Sequence, residues 1–207
     1  MASLENYIYL TFGWIAYCAI HSLLATNRLK TRISDRAPGL YRYYRLVYSA
    51  IAFITLILIL WYQLRMKEHS IIGPATFLVF AGYVLIAGGL SLMAISAKKY
   101  FLRMTGFDLL FKKQPNDDLL EIGIHKKVRH PLYLGTLLFI YGLLALFFFP
   151  SNLLACLVIT VYIIIGIKLE EKKLVTRFGK AYLDYKARVP ILPRLRSGKK
   201  KLGTSRA

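Results

Sequence analysis

Two short polar motifs carry side chains that could bind a small charged ligand. The first is Arg129-His130-Pro131-Leu132-Tyr133, where a basic segment runs into an apolar one. The second is the acid pair that follows the next apolar stretch, Glu170-Glu171. If each apolar stretch spans a membrane, the topology of the chain brings both motifs to the same membrane face. The combination of a base, a histidine, a tyrosine and two acids then indicates a small charged ligand at the lipid boundary.

Each residue of the first motif also has a purely structural interpretation. Pro131 suits the first turn of a helix, because no hydrogen bond is lost there. Arg129 is typical of a flanking charge, His130 could cap the helix, and Tyr133 is typical of an interfacial aromatic. The combination is more specific, because His130 and Tyr133 lie three residues apart and share one helix face. Gly135 then permits close approach of a neighbour or a ligand.

The two acids of the second motif have different predicted environments. Glu171 fits a solvated helix that continues out of the last span and is supported by Glu–Lys pairs. Glu170 lies within a turn of the apolar run, where an acid that points into a helix bundle usually has a function. A helical hairpin that turns at Pro150-Ser151 would return Glu170 to the level of the first motif.

The elements that position these motifs are predicted to be membrane helices. Apolar residues make up 57% of the chain, well above the share in a soluble domain. A bilayer core of about 30 Å needs roughly 20 apolar residues per helix. Five stretches approach this length, and the last two form the short hairpin: residues 7–25, 46–64, 72–97, 132–149 and 152–167. We therefore predict an all-α integral membrane protein with five transmembrane helices.

The distribution of basic residues predicts the orientation of these spans. Of the 29 Lys and Arg residues, 27 fall in segments that alternate with the spans and so lie on one side. The positive-inside rule then places the N-terminus outside and the C-terminus in the cytoplasm. The net charge of +19 is explained by this topology and by attraction to anionic lipid headgroups. Because the charges are spread over several loops, they do not indicate nucleic-acid binding.

The cysteines and the chain end add little chemistry. Cys18 and Cys156 lie inside apolar spans without paired spacing, so neither a disulfide nor a metal site is expected. The basic tail, residues 197–207, is predicted to be disordered. The rest, residues 1–196, is predicted to form a single membrane domain.

The stretch from Gly123 to Gly135 resembles the signature of the isoprenylcysteine carboxyl methyltransferase superfamily. That superfamily also holds phospholipid methyltransferases and bacterial small-thiol methyltransferases, and this chain is most similar to the bacterial branch. The resemblance continues through Glu170-Glu171, Phe178-Gly179 and Arg188-Val189-Pro190, and it covers roughly residues 117–193. It is specific, because two separate motifs occur in the right order around a short hairpin.

The resemblance implies an integral-membrane methyltransferase that uses S-adenosylmethionine (SAM) and releases S-adenosylhomocysteine. It places a cytoplasmic cofactor-binding region at about residues 108–193. His125 stands where the family usually has a tyrosine, and Glu170 would hold the polar end of the cofactor. The residues that the resemblance implies for cofactor binding are Asp118, Leu119, Leu120, His125, His130, Pro131, Tyr133 and Glu170.

The residue types agree with the chemistry of this cofactor. An acid can bind its amine, a basic residue can bind its carboxylate, and aromatic rings can face its sulfonium. Alignment of the acceptor with the methyl group would supply most of the acceleration. A carboxylate or thiolate acceptor needs no strong base, whereas a neutral thiol or amine needs a proton acceptor such as histidine.

Two features bear on the methyl acceptor. In the prenylcysteine enzymes an arginine one turn before the motif acid helps to bind the acceptor, and here that position is Gly166. His21-Ser22, at the end of the first span, resembles the start of the small-thiol branch. We class His21 and Arg129 as candidate catalytic residues, while His21 could equally be a capping or interhelical residue.

Three classes of function follow from the sequence. The leading one is a membrane methyltransferase acting on a small or membrane-partitioned acceptor: a thiol, a prenylcysteine carboxylate or a lipid amine. The second is a non-catalytic membrane accessory protein that keeps the methyltransferase fold. The third is a transporter or haem protein that uses His21 and His130, although no broken-helix pair or repeat supports transport. The expected partners are the acceptor and membrane lipids, and the sequence leaves the oligomeric state open.

Overall fold

The computed structural model describes residues 2–41, 43–71, 73, 75–105, 119 and 121–191. This part of the chain is helical and contains no strand, which confirms the predicted all-α class. Its helices, in chain order, are α1 (Leu4–Ala25), α2 (Asn27–Arg36), α3 (Pro38–Tyr41), α4 (Tyr44–Arg65), α5 (Thr76–Thr105), α6 (Pro131–Leu146), α7 (Pro150–Phe178) and α8 (Lys180–Arg188). A 3₁₀ turn over Gly123–Lys126 precedes α6.

Four of these helices are long and apolar enough to cross a membrane: α1, α4, the Thr76–Ala97 part of α5, and α7. The fourth predicted span, α6, is apolar but has only 16 residues. At 1.5 Å per residue it is about 24 Å long, shorter than the roughly 30 Å of a bilayer core. Large apolar side chains such as Phe12, Phe53 and Phe80 are exposed on these helices, as expected of surfaces that face lipid.

The helices pack side by side in an order that differs from the chain order. Helix α1 packs against α4 and α7, α7 packs against α6, and α6 packs along its length against α5. Glycines permit the last contact, because a Cβ at Gly89 would lie 2.7 Å from the Gly135 carbonyl oxygen. Gly82 and Gly142 form a second crossing of the same kind, where a Cβ at Gly142 would lie 2.9 Å from the Gly82 carbonyl oxygen. Small residues allow this close backbone approach between membrane helices.

The turn between α6 and α7 differs from the prediction. The chain reverses over residues 147–149, and Pro150 and Ser151 already form the first turn of α7. The physical reason is that proline is favoured at the first helical position, where its missing N–H is not needed. The backbone N–H of Ser151 donates to the Glu68 carboxylate at 3.0 Å, which satisfies one of the free donors at this helix start.

Side-chain hydrogen bonds, made mostly by amide groups, connect the helices near the turn between α6 and α7. The Trp14 indole N–H donates to the Gln63 side-chain oxygen at 3.0 Å, and the Gln63 amide donates to Asn152 at 2.7 Å. Asn152 in turn donates to the Phe147 carbonyl at 2.8 Å. These bonds join α1, α4 and α7 and lie toward the end of α7 opposite the Glu170-Glu171 motif.

Helix α8 folds back beneath the ends of α6 and α7. Gly179, with φ 53°, makes the reversal after α7, in a conformation that side chains rarely adopt. Tyr182 and Tyr185 of α8 and Val189, which follows the helix, form a small apolar core. The Tyr185 hydroxyl donates to the His125 carbonyl at 2.8 Å, which fastens α8 to the 3₁₀ turn. The segment before α6 and helix α8 therefore form one polar cap at this end of the bundle.

Candidate active site

Glu171 is the centre of a buried ion-pair network, which we call the His130 cluster: Arg129, His130, Glu170, Glu171 and Lys186. The Arg129 guanidinium lies 2.9 Å from one Glu171 oxygen, and Lys186 Nζ lies 2.7 Å from the other. The side chains of Arg129 and Glu171 are only 7% and 10% exposed. The prediction of a solvated Glu171 is therefore wrong, because α8 brings Lys186 back over it.

Glu170 has a different environment from its neighbour. One of its oxygens lies 3.6 Å from His130 Nδ1, and its side chain is 45% exposed. The other face of the same imidazole meets Glu171, with His130 Nε2 3.4 Å from its carboxylate. The hydroxyl of Tyr133 lies beside the Glu170 carboxylate and interacts with it. Glu170 is thus held in place by two neighbours but keeps capacity for a further donor.

Two buried polar atoms in and beside the cluster lack a hydrogen-bond partner among the described residues. They are Arg129 Nε and the hydroxyl of Tyr182, which is 1% exposed. Burial and the nearby Glu171 carboxylate raise the pKa of Tyr182 to about 12, so its hydroxyl remains a donor at neutral pH. Buried donors without partners are rare in proteins and call for an explanation such as a bound polar group.

A second polar group lies deeper among the apolar helices and is built around His21. This His21 cluster contains Tyr17, His21, Ser22, Tyr48 and Tyr162 and joins α1, α4 and α7. The Tyr48 hydroxyl lies 3.0 Å from His21 Nε2 and 3.2 Å from Nδ1. The rings of Tyr162 and His21 pack edge to face with their centroids 6.4 Å apart. The Ser22 hydroxyl donates to the Tyr162 hydroxyl at 3.2 Å. Tyr17 packs on the remaining side at 6.2 Å.

Tyr133 connects the two clusters. Its ring lies 5.7 Å from that of His130, and its hydroxyl is within electrostatic range of Tyr48 and Tyr162. The same ring lies over Gly166, where an added Cβ would meet the Tyr133 hydroxyl at 3.7 Å. An alanine at 166 would make ordinary van der Waals contact with this tyrosine, whereas a larger side chain would compete with it for space.

The structure brings together most of the predicted site residues that it describes. Arg129, His130, Tyr133 and Glu170 meet as the hairpin prediction required, and Pro131 is buried at the start of α6. His125 contributes its carbonyl to the cap, and Leu119 packs against the apolar core of α8. Asp118 and Leu120 lie outside the described residues, as does the predicted tail. The cofactor and catalytic roles of all these residues remain predictions.

Several residues of the site were missed by sequence reasoning. Tyr17, Tyr48 and Tyr162 look like ordinary aromatics within apolar stretches, and only the packing of α1, α4 and α7 brings them around His21. Lys186 looks like one more basic residue of a charged segment. A signal did exist for α8, because Tyr182 and Tyr185 belong to the stretch that carries the superfamily resemblance.

Comparison with known proteins identifies the family of the chain. A family model described as phospholipid methyltransferase matches residues 77–181. The chain belongs to this family. The match covers α5, α6 and α7 and therefore includes the first motif and both acids. It ends before Lys186, and it does not include the His21 cluster residues of α1 and α4.

Individual relatives extend over more of the chain. Methanethiol S-methyltransferase 1 of Bradyrhizobium diazoefficiens is 30% identical over 83% of this chain and 61% of its own length. The corresponding enzyme of Pseudomonas deceptionensis is 28% identical over 85% of this chain and 68% of its own length. Methanethiol S-methyltransferase 2 of B. diazoefficiens is 44% identical, over 35% of this chain and 27% of its own length. The chain thus spans only part of these relatives, and no solved structure matches it.

Proposed function

We propose that this chain transfers a methyl group from SAM to a small thiol within the membrane. The observation that carries the proposal is the link made by Tyr133 between the charged His130 cluster and the neutral His21 cluster. Methyl transfer from a polar cofactor to an apolar acceptor needs two such regions in contact. Membership of the phospholipid methyltransferase family supports the reaction class.

The His130 cluster fits the polar end of the cofactor. Glu170 retains exposed carboxylate surface, which suits a primary amine. Arg129 Nε and the Tyr182 hydroxyl are buried donors that find no partner within the described part of the chain, which suits a carboxylate. Tyr133 offers an aromatic ring to a cationic group. In this proposal Arg129 binds and orients the cofactor while its ion pair with Glu171 holds the guanidinium in place.

The His21 cluster fits a small neutral acceptor better than a charged one. Its described contacts are tyrosine rings and hydroxyls and one serine, and no acid or cation is among them. Gly166 stands where the prenylcysteine enzymes have an arginine, so a carboxylate acceptor would lack its expected partner. The relatives, named methanethiol S-methyltransferases, favour a thiol.

The residues of the chain then divide the chemistry between them. When bound, SAM supplies a methyl group activated by a sulfonium sulfur. A ring nitrogen of His21 would accept the proton of the thiol while the thiol sulfur takes the methyl group and S-adenosylhomocysteine leaves, and the Tyr48 hydroxyl holds the imidazole. Helices α1, α6 and α7 supply the alignment, because α7 carries both Tyr162 of the His21 cluster and Gly166, which Tyr133 of α6 contacts.

A panel of acceptors tests this function. Membranes containing the full chain would be incubated with methyl-labelled SAM and with small thiols, prenylcysteines and lipid amines, and products identified by mass spectrometry. We expect labelled methyl sulfides from the small thiols. Labelled prenylcysteine esters or lipid amines in their place would contradict the acceptor. The absence of any labelled product would contradict the activity and favour an accessory protein.

We infer from the basic residues that both clusters face the cytoplasmic side of a bacterial inner membrane. The segments on this side of the spans carry 27 of the 29 basic residues, and the opposite ends of the spans carry only Arg65 and Lys67. Reporters fused at the C-terminus and at residue 67 test the orientation. A cytoplasmic signal at the C-terminus and an external one at residue 67 are expected, and the reverse pattern would contradict the inference.

A further inference from the structure

A groove with basic and hydroxyl side chains lies on the polar segment between α1 and α4, separate from both clusters. It has a volume of about 320 Å³ and is lined by Lys30, Thr31, Ser34, Asp35 and Tyr41. Most of the lining comes from α2, whose apolar residues Leu29 and Ile33 are partly buried. The groove is therefore the polar side of an amphipathic helix that begins directly after a membrane helix.

The one cation of the described groove lining, Lys30, lies within electrostatic range of two others. Lys30 on α2 is partly buried, and burial lowers its pKa. Arg45 on α4 and Lys173 on α7 are close enough to lower that pKa further. Holding like charges together costs free energy, which a bound anion would offset. Asp35 is the one acid of the described groove lining, and the further positive charge near Lys30 favours an anion over a cation.

The donors in the groove suit a phosphate group. An ammonium, two hydroxyls and a phenol can each donate to a tetrahedral oxyanion. The groove also stands at the level where lipid phosphates lie, since α1 ends at Ala25 and α4 begins at Tyr44. Tyr41 is 39% exposed and stacks on Tyr44 at 6.3 Å, a position typical of aromatics at the headgroup level.

We propose that this groove binds the phosphate of an anionic phospholipid headgroup. The membrane boundary favours a lipid over free phosphate, because the phosphate of a lipid is already concentrated there. The proposal does not depend on the methyltransferase reaction. It assigns the α2–α3 segment a binding role that the family match, which begins at residue 77, does not cover.

Native mass spectrometry of the full-length protein tests the proposal. The protein would be released from nanodiscs containing equal amounts of phosphatidylglycerol and phosphatidylcholine, and the retained lipids counted. We expect the wild type to retain phosphatidylglycerol preferentially. Lys30→Gln should lower this retention at least about tenfold, because the phosphate loses a charged hydrogen-bond donor, and Lys173→Gln should lower it by a smaller factor.

A matched lysine and a soluble anion serve as controls. Lys180, exposed on α8, carries the same charge away from the groove, so Lys180→Gln should leave retention unchanged. Equal losses in the Lys30 and Lys180 variants would show general electrostatic attraction and overturn the proposal. So would displacement of the lipid by inorganic phosphate at equal concentration, because the groove would then be a site for free phosphate.

Discussion

The two histidine clusters of this helix bundle are held together by different interactions, ion pairs in one and aromatic packing with hydroxyl hydrogen bonds in the other. The His130 cluster contains acids and bases held by α6, α7 and α8, with contacts of 2.7–3.6 Å. The His21 cluster contains tyrosines held by α1, α4 and α7, and its contacts are ring packing and hydroxyl hydrogen bonds. The first can compensate charge on a ligand, whereas the second can hold a neutral ligand and accept one proton.

The contrast also separates residues that hold the site from residues that meet a ligand. Both carboxylate oxygens of Glu171 are paired with basic side chains of the protein, whereas the side chain of Glu170 on the same helix is partly exposed. His130 likewise lies between two carboxylates, whereas His21 has hydroxyls and rings around it. Substitutions at these residues should therefore affect different quantities: turnover, stability or cofactor affinity.

The largest expected effect is on turnover, at His21. His21→Ala should lower turnover of the thiol by roughly 10²- to 10⁴-fold, because the proton acceptor is lost. The change should be measured by product formation, with thermal stability recorded on the same preparation. If His21 only packs between helices, activity and stability should instead fall together and modestly.

The next largest effect is on stability, at Glu171. Glu171→Gln should destabilise the protein by about 3–5 kcal/mol, because it leaves Arg129 buried without its charge partner. Thermal unfolding in detergent measures the loss. Glu121→Gln is the matched control, since Glu121 pairs with Arg188 at 2.8 Å with both side chains more exposed, and it should cost less than about 1 kcal/mol. Similar losses in the two variants would mean that the Glu171 network does not hold the cap.

Glu170→Gln should lower the affinity for the cofactor and leave the free energy of unfolding nearly unchanged. Loss of one charged hydrogen-bond partner should cost about 1.5–3 kcal/mol of cofactor binding, or about 10- to 150-fold. Because the Glu170 side chain is 45% exposed, its removal should change the free energy of unfolding by less than about 1 kcal/mol. Binding of S-adenosylhomocysteine and thermal unfolding, measured side by side, check both parts. An unchanged affinity would remove Glu170 from the cofactor site.

The smallest effect is expected at Tyr48. Tyr48→Phe removes the hydroxyl that lies 3.0 Å from His21 but keeps the ring. Loss of one neutral hydrogen bond should cost about 0.5–1.5 kcal/mol, or a fall of about 2- to 10-fold in turnover. The pH dependence of turnover should also shift, because the imidazole has lost a partner. A rate and a pH profile equal to those of the wild type would show that Tyr48 does not position His21.

Much of the fold could be predicted because hydropathy marks membrane helices directly. The contact between Glu170 and His130 could be predicted from the hairpin. Two adjacent antiparallel spans of similar length place their polar ends at the same depth in the membrane. The orientation of the acid pair could not be predicted in this way. Successive residues on a helix point about 100° apart, and an apolar stretch such as that of α7 does not show which side faces inward.

The burial of Glu171 and the His21 cluster both depend on distant parts of the chain. Glu171 is covered because Gly179 reverses the chain and returns Lys186 to it, a contact over fifteen residues. Tyr48 and Tyr162 reach His21 only through the order in which the helices pack. Local patterns carry no information about that order. The glycines of α5 and α6 were a usable signal, because Gly82 and Gly89 share the spacing of Gly135 and Gly142.

The division of labour between the clusters is tested most directly by titrating S-adenosylhomocysteine calorimetrically into the purified full-length protein and its His21→Ala variant. The account predicts that both bind, with dissociation constants within about twofold, because the cofactor meets the His130 cluster and not His21. Absence of binding to the wild type would contradict the cofactor site. Loss of binding in the His21 variant alone would place His21 at the cofactor and contradict the separation of the two regions.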